Sequence, residues 1–157
     1  MVEQVTDADR ATRLDDDLFF VCSLIKHIGR ETANRRQDVV NALGPSRIAR
    51  IIEYADVFHC ENPDAVAYRF IEEAVIEQGS YDNVGCAHYE APTYRDMGKV
   101  YKRLAAGIMH HRDISPADAV TEAFCSAVAD LINDYNRSFF YEAPANILTA
   151  HLYGAIE

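Results

Sequence analysis

The chain has 157 residues, of which 49% are hydrophobic and 25% charged, and its formal net charge is −10. This composition is typical of a globular domain and excludes a disordered or fibrous chain. The negative charge argues against nucleic acid or an anionic membrane as the main partner, because phosphate binding depends on clustered lysine and arginine. We therefore expect a single helical domain over residues 1–157 that folds without a metal ion or a disulfide.

The cellular setting is predicted from the start of the chain and from its cysteines. The opening MVEQVTDADR is acidic and has no apolar run, which predicts neither a signal peptide nor a membrane anchor. No segment approaches the roughly 18 apolar residues of a membrane helix. The four cysteines have no CxxC spacing and no secretory context, so they predict reduced thiols in a cytoplasmic protein. They are Cys22, Cys60, Cys86 and Cys125. No cofactor is predicted.

Capping signals and apolar spacing predict helices through the first half of the chain. Thr6 and Asp9 form a capping box before a helix over about 7–28. A second helix over about 34–43 ends at Gly44-Pro45. A third helix then follows.

The fourth helix is predicted from its cap. Asn62 precedes a proline at the first helical position, and apolar residues continue the pattern to Gly79. The next stretch, GSYDNVGCAHYEAP over residues 79–92, has no usable period. Ordered loops of this length are uncommon in compact domains and are often functional.

The second half of the chain predicts three more helices. Apolar residues from Met97 to Ile108 define the fifth, and Ser115-Pro116 opens a sixth that continues through Leu131. A short seventh helix follows Pro144. Strand-like alternation is missing, so the sequence predicts an all-α fold of six or seven helices.

The tetrapeptide YEAP occurs twice, at residues 89–92 and 141–144, and a tyrosine follows twelve residues after the first tyrosine of each copy. The apolar positions between the copies do not match, so a duplicated unit is rejected in favour of two similar helix entries. Tyrosines nevertheless crowd the loop and the tail, and tyrosine is favoured at protein interfaces. We expect a protein-binding or homodimer surface if these segments meet. Its residues are Tyr81, Tyr89, Tyr94, Tyr135, Tyr141 and Tyr153.

A basic face on the fifth helix adds a second contact surface. Arg95, Lys99, Lys102 and Arg103 share this face, and in an acidic protein they could dock an acidic surface of a second copy. A solvated face is the simpler interpretation.

One alternative is a helix-turn-helix DNA-binding regulator. The segment RRQDVVNALGPSRIARII joins two short helices through a glycine turn and contains Arg35, Arg36, Arg47 and Arg50. Aligning Gly44 with the turn glycine places Arg50 where such motifs need an apolar residue, which weakens this hypothesis.

A second alternative is a zinc- or cysteine-dependent enzyme. His59-Cys60 and Cys86-Ala87-His88 offer two sulfur and two nitrogen ligands, the number that a structural zinc takes. Neither pair has the usual zinc-knuckle spacing. No catalytic set can be assembled from spacing alone, so no catalytic or metal residue is assigned.

Three segments, FFVCSLIKHIGRETANRRQDVVNALG, IIEYADVFHCEN and MGKVYKRL, resemble conserved helical proteins of bacteria that have no assigned function. The resemblance spans most of the chain but attaches to no motif of known chemistry. It implies a compact bacterial cytoplasmic protein and no particular substrate.

Overall fold

The computed structural model describes residues 6–154 and leaves residues 1–5 and 155–157 outside, so half of the acidic opening decapeptide lies outside the described residues. Within 6–154 the chain forms eight α-helices and no strand, which confirms the all-α class. A 3-10 turn over Phe139–Tyr141 precedes the last helix. The helices are α1 Asp7–Thr32, α2 Arg36–Glu53, α3 Ala55–Phe58, α4 Pro63–Glu73, α5 Tyr94–Arg112, α6 Pro116–Cys125, α7 Val128–Ile132 and α8 Pro144–Tyr153.

Side-chain caps fix where several helices begin. The predicted capping box of α1 is present, because Thr6 accepts from the amide of Asp9 and Asp9 accepts from the amide of Thr6. Asn62 caps α4 as predicted. A second capping box, which the sequence interpretation missed, starts α5 at Thr93 and Asp96. Each cap satisfies amides that have no partner inside the helix.

The predicted break at Gly44 is present within α2. Gly44 has φ 78° and ψ 160°, which places a kink between two helical segments. This conformation is unfavourable for residues that carry a Cβ. Pro45 then begins the second segment, where its missing N–H needs no partner.

Three predicted boundaries are wrong. α1 continues past the predicted end near residue 28 to Thr32. α4 ends at Glu73 and not at Gly79, because Val75 adopts a left-handed conformation with φ 54°. The predicted sixth helix is divided into α6 and α7 at Ser126, whose backbone is extended. The Ser126 hydroxyl accepts from the amide of Ala129, so this residue starts a new helix and does not continue the old one.

The core is organised around α1, which packs mainly on α5. Gly98 of α5 makes this close approach possible, since a Cβ there would lie 2.1 Å from the Ser23 hydroxyl oxygen. Behind it the rings of Tyr101 and Phe124 stack with centroids 4.0 Å apart. Buried residues from α1, α2 and α4 to α8 form one contiguous cluster. The domain boundary over 1–157 stays a prediction.

The long loop is irregular, as predicted, and is anchored to the end of α1. Gly79 and Tyr81 donate their amides to the carbonyls of Thr32 and Ala33 at 2.7 and 2.8 Å. A Cβ at Gly79 would lie 2.3 Å from Asn34 Oδ1, so the contact requires glycine. Within residues 6–154, no helix combines the length and apolar character needed to cross a bilayer.

Candidate functional site

One segment of α1 is enclosed on every side. All eight residues from Val21 to Ile28 are buried, including Ser23, Lys26 and His27. An amphipathic helix normally keeps one face in water, so polar side chains in such a segment must find partners inside the protein. Two cavities lie beside this segment, and Lys26 and His27 line different ones.

Lys26 is buried without a neutralising charge. Its exposed fraction is 7%, and Nζ donates to Oδ1 of Asn133 at 2.9 Å. The Tyr101 ring lies beside it, with its centroid 5.9 Å from Nζ. Within the described range, Lys26 forms no ion pair with a carboxylate. A buried ammonium without such a pair is costly. The site therefore favours either the binding of an anion next to Lys26 or the loss of a proton from its amine.

Two arginines add positive charge beside Lys26. Arg36 is 7% exposed, donates from Nε to the Phe124 carbonyl at 2.9 Å, and pairs with Asp130 at 2.7 Å. Arg30 donates from one Nη to the carbonyl of Pro92 at 2.6 Å and to the Tyr135 hydroxyl at 3.0 Å. Its buried Nε has no hydrogen-bond partner among the described residues. Carbonyl and phenol oxygens carry no full negative charge, and within residues 6–154 Arg30 forms no ion pair with a carboxylate.

These three side chains line a cavity of about 360 Å³, which we call the cationic pocket. One wall is α1, the turn after it and the start of α2; the other is the long loop and the residue after α7. Asn83 ties the loop to this last residue by donating to the carbonyl of Asn133 at 3.1 Å. The lining also includes Asn34, Tyr81, Asp82 and Val84.

The burial of Lys26 changes its acidity. Removal from water lowers the pKa of Lys26 to about 7, and the neighbouring charges of Arg30 and Arg36 act in the same direction. Both protonation states of its amine are therefore populated at neutral pH. Burial also raises the pKa of Tyr101, so that its hydroxyl stays protonated; Asn133 approaches this hydroxyl without the geometry of a hydrogen bond.

The second cavity, of about 420 Å³, has the opposite charge, and we call it the acidic groove. Its floor is apolar and includes Phe20, Leu24 and Val66, while Arg13 and Arg95 interrupt its acidic rim. Burial raises the pKa of Asp17, and the nearby Asp56 adds to this effect. The carboxylates that line it are Asp16, Asp17, Asp56 and Glu61.

His27 faces two carboxylates at the end of the acidic groove. Its Nε2 lies 3.0 Å from Asp64 Oδ1 and 3.9 Å from Glu31 Oε1, while its ring meets Tyr94 edge to face at 4.3 Å. Within residues 6–154 this is the one set of three metal-binding residue types with atoms within 4.8 Å of one another. Both carboxylates are exposed, and exposed acidic groups commonly lie near one another without an ion, so we assign no metal here.

The four residues of the zinc hypothesis do not form such a set in the described chain. His59 and Cys60 lie just after α3, where His59 Nδ1 and Cys60 Sγ are 3.7 Å apart. Cys86 and His88 lie in the long loop, and both are hydrogen-bonded through their backbones to Asn136.

The structure distributes the six predicted tyrosines over several environments. Tyr81 lines the cationic pocket, and burial raises its pKa, with Tyr135 adding to the effect. Tyr135 is connected to the pocket through Arg30, which donates to its hydroxyl. Tyr94 lines the acidic groove. The loop and the segment after α7 do meet, because Asn136 bonds to both Cys86 and His88.

The other three tyrosines are exposed, by 74% at Tyr89, 80% at Tyr141 and 69% at Tyr153. Tyr141 packs on Phe140, with ring centroids 4.3 Å apart, and Tyr153 meets His111 edge to face at 6.5 Å.

The basic residues singled out in the sequence are largely used within the protein. Arg47 and Arg50 both pair with Glu73, and Arg35 lies over the Tyr81 ring at 5.2 Å. Arg36 is buried in the pocket wall, which removes it from a surface that could contact DNA. On the basic face of α5, Lys102 pairs with Asp15 at 3.0 Å.

Comparison with protein-family models, curated proteins and solved structures gives no match to this chain. The resemblance to conserved bacterial proteins therefore stays a prediction. Sequence reasoning missed Lys26, Arg30 and Asn133 as site residues. A signal was present, since the charged Lys26 directly follows the largely apolar run FFVCSLI, which ends at Ile25.

Proposed function

We propose that this protein binds a small anionic ligand, bearing a carboxylate or phosphate group, in the cationic pocket. The observation that carries the proposal is the charge balance of the pocket wall. Three cations, Lys26, Arg30 and Arg36, line the cavity against one lining carboxylate, Asp82, and among the described residues only Arg36 of the three is paired with a carboxylate. Guanidinium and ammonium groups are the donors that carboxylates and phosphates prefer.

Size and surroundings support a small ligand over a macromolecule. A cavity of about 360 Å³ lies near the lower end of the range for small-molecule sites. Asn83 and Asn133 supply neutral polar groups on the wall opposite α1. A net charge of −10 over the chain repels nucleic acid, whereas a local pocket of opposite sign still attracts a small anion.

The test is calorimetric titration with oxalate, pyruvate and inorganic phosphate at pH 7 and low salt. Lys26→Met and Arg30→Met each remove one pocket charge, and we expect each to weaken binding at least about tenfold. Lys102→Met is the matched control, because it removes a lysine paired with Asp15 outside the pocket. The three probes distinguish a carboxylate site from a phosphate site.

Two results contradict the proposal. One is the absence of binding by all three anions. The other is equal binding by the Lys26→Met, Arg30→Met and Lys102→Met proteins, which would show that the anion is not held by the charges of the cationic pocket.

A second candidate function is protein binding or homodimer formation, as the tyrosine-rich segments predict. The observation in its favour is the exposure of the Tyr89 and Tyr141 rings, at 74% and 80%. Tyrosine is enriched where interfaces gain most of their energy. Light scattering tests self-association by measuring the molar mass in solution. If the wild type has the mass of one chain, and Tyr89→Ser and Tyr141→Ser leave this mass unchanged, the homodimer is contradicted.

We also propose a cytoplasmic, bacterial setting. All four cysteines are unpaired, and Cys60, Cys86 and Cys125 are exposed. Exposed free thiols suit a reducing compartment.

A further inference from the structure

Lys26 has the surroundings of an amine that can react as well as bind. It lies in the wall of a cavity, its amine meets a neutral amide oxygen at 2.9 Å, and no ion pair with a residue in the range 6–154 holds it in the protonated form. An exposed lysine in water is almost entirely protonated at neutral pH, and the ammonium is not nucleophilic. A desolvated lysine beside other cations is the usual arrangement for imine chemistry.

We infer that Lys26 forms an imine with a small 2-oxo acid held in the cationic pocket. This inference rests on the proposed function, since Arg30 and Arg36 would bind the carboxylate and so place the adjacent ketone near Nζ. A 2-oxo acid is the smallest ligand that joins an anion to a carbonyl carbon. The pocket therefore selects for both groups at once.

The step needs no partner other than the 2-oxo acid. The Nζ lone pair attacks the carbonyl carbon, the C–O π electrons move to oxygen, and one N–H proton passes to that oxygen. The resulting hydroxyl then leaves with the second N–H proton as water, and a C=N bond replaces the C–N single bond. Nothing is oxidised or reduced.

The groups that face Lys26 keep its amine available. Arg30 on α1 and Arg36 on α2 favour the neutral form through charge repulsion, and the lowered pKa of Lys26 agrees with this. Tyr101 on α5 stays protonated because burial raises its pKa. Asp82 is the carboxylate in the pocket wall, and its Oδ1 accepts from the amide of Gly85 at 2.6 Å. Asp130 is engaged by Arg36.

Borohydride trapping tests the inference on the intact chain. Pyruvate is added at pH 7, borohydride reduces any imine to a stable secondary amine, and peptide mass spectrometry locates it. The sequence has three lysines, Lys26, Lys99 and Lys102, so the two lysines on α5 are internal controls. We expect at least about tenfold more label on Lys26 than on either control.

Two further arms sharpen the result. Excess lactate, which has the carboxylate but no carbonyl, should reduce labelling of Lys26 and leave the α5 lysines unchanged. Lys26→Arg keeps the pocket charge, so we expect it to bind oxalate while losing the label.

The outcomes separate the two proposals. Oxalate binding without labelled Lys26 overturns the imine and leaves anion binding intact. Equal labelling of the three lysines, or labelling of Lys26 that lactate does not reduce, overturns selective imine formation even if the Lys26→Arg variant does not fold. Loss of both oxalate binding and labelling contradicts both proposals.

Discussion

The two cavities beside α1 differ in how deeply they hold their charges. In the cationic pocket, Lys26 is 7% exposed and its pKa falls to about 7. In the acidic groove, Asp17 is only partly buried, and its pKa rises because of that burial and the neighbouring Asp56. Both shifts favour the neutral form, but Arg13 opposes the shift of Asp17. The larger pKa shift in the cationic pocket than in the acidic groove is thus due to the depth of burial, more than to the number of like charges nearby.

The partners of each cavity differ as well. The carboxylates of the acidic groove face cations of their own, such as Arg13 and Arg95. Lys26 and Arg30 face mostly carbonyl, amide and phenol oxygens. Uncompensated charge is therefore concentrated in the cationic pocket, and mutations there should have the larger effects.

The largest effect is expected for Lys26→Met. The pKa of Lys26 in the folded chain is about 7, which lies below the ordinary lysine value. At a pH between these two values, the unfolded chain therefore binds more protons than the folded chain. Stability of the wild type should therefore rise with pH from about 7 to about 10, with a slope of up to about 1.4 kcal/mol per pH unit. The Lys26→Met variant has no amine at this position and so lacks this pH-dependent rise in stability. At pH 6 it should be more stable by about 1–2 kcal/mol, after the cost of leaving the Asn133 oxygen unpaired.

Urea unfolding of both proteins at pH 6, 7, 8 and 9 measures this difference. The advantage of Lys26→Met should stay nearly constant from pH 6 to 7, fall as the pH rises further, and change sign by about pH 9, because the wild type gains up to about 1.4 kcal/mol per pH unit above pH 7. An advantage that stays constant from pH 6 to 9 would show that Lys26 is not held in a site that disfavours its charge. Lys102→Met, which alters an ion pair at the edge of α1, should show no such trend.

A smaller effect is expected when the loop wall is displaced by Gly79→Ala. The new Cβ would lie 2.3 Å from Asn34 Oδ1 and 2.4 Å from the Ala33 carbonyl oxygen, and this second atom is backbone. The loop must shift, and because Gly79 is exposed the cost should be about 1 kcal/mol, at the low end for an overpacked site. We expect weaker oxalate binding and faster hydrogen exchange of the Tyr81 amide, which donates to Ala33.

Gly29→Ala is the control for stability and for the Tyr81 exchange rate, but not for oxalate binding, because Gly29 lines the cationic pocket. Its Cβ would meet the Asn34 carbonyl at an ordinary 3.4 Å, so alanine should be tolerated within α1 and can stabilise it by up to about 1 kcal/mol. If both alanine variants have the stability and the Tyr81 exchange rate of the wild type, the loop is not anchored as described.

Much of the fold could be predicted because its signals are local. The caps at Thr6 and Asn62 and the break at Gly44 each depend on a few neighbouring residues. The division between α6 and α7 at Ser126 could not be predicted, because the apolar spacing continues through this residue. Only the extended backbone of Ser126, with a new cap for α7, reveals the break.

The candidate site was harder to predict because it is assembled from distant segments. Lys26 and Asn133 meet across 107 positions of the chain, and Arg36 reaches the carbonyl of Phe124 across 88. The tyrosine hypothesis did identify the loop that forms one wall. It did not identify α1 as the opposite wall, because helical periodicity assigns a lysine to the solvent face.

The smallest effect is expected for Asp17→Asn in the acidic groove. The folded pKa of Asp17 is raised, so the folded chain binds more protons than the unfolded chain around that pKa, and its carboxylate costs stability at neutral pH. Solvent screening limits the cost, and asparagine should stabilise the protein at pH 7 by less than about 1 kcal/mol. This gain should vanish as the pH falls below the ordinary aspartate pKa.

Thermal unfolding at pH 7 and pH 3.5 measures this gain in stability. The control is Asp16→Asn, which replaces the exposed neighbour in the same groove. A gain at pH 7 as large as that of Lys26→Met would contradict the difference in burial between the two cavities.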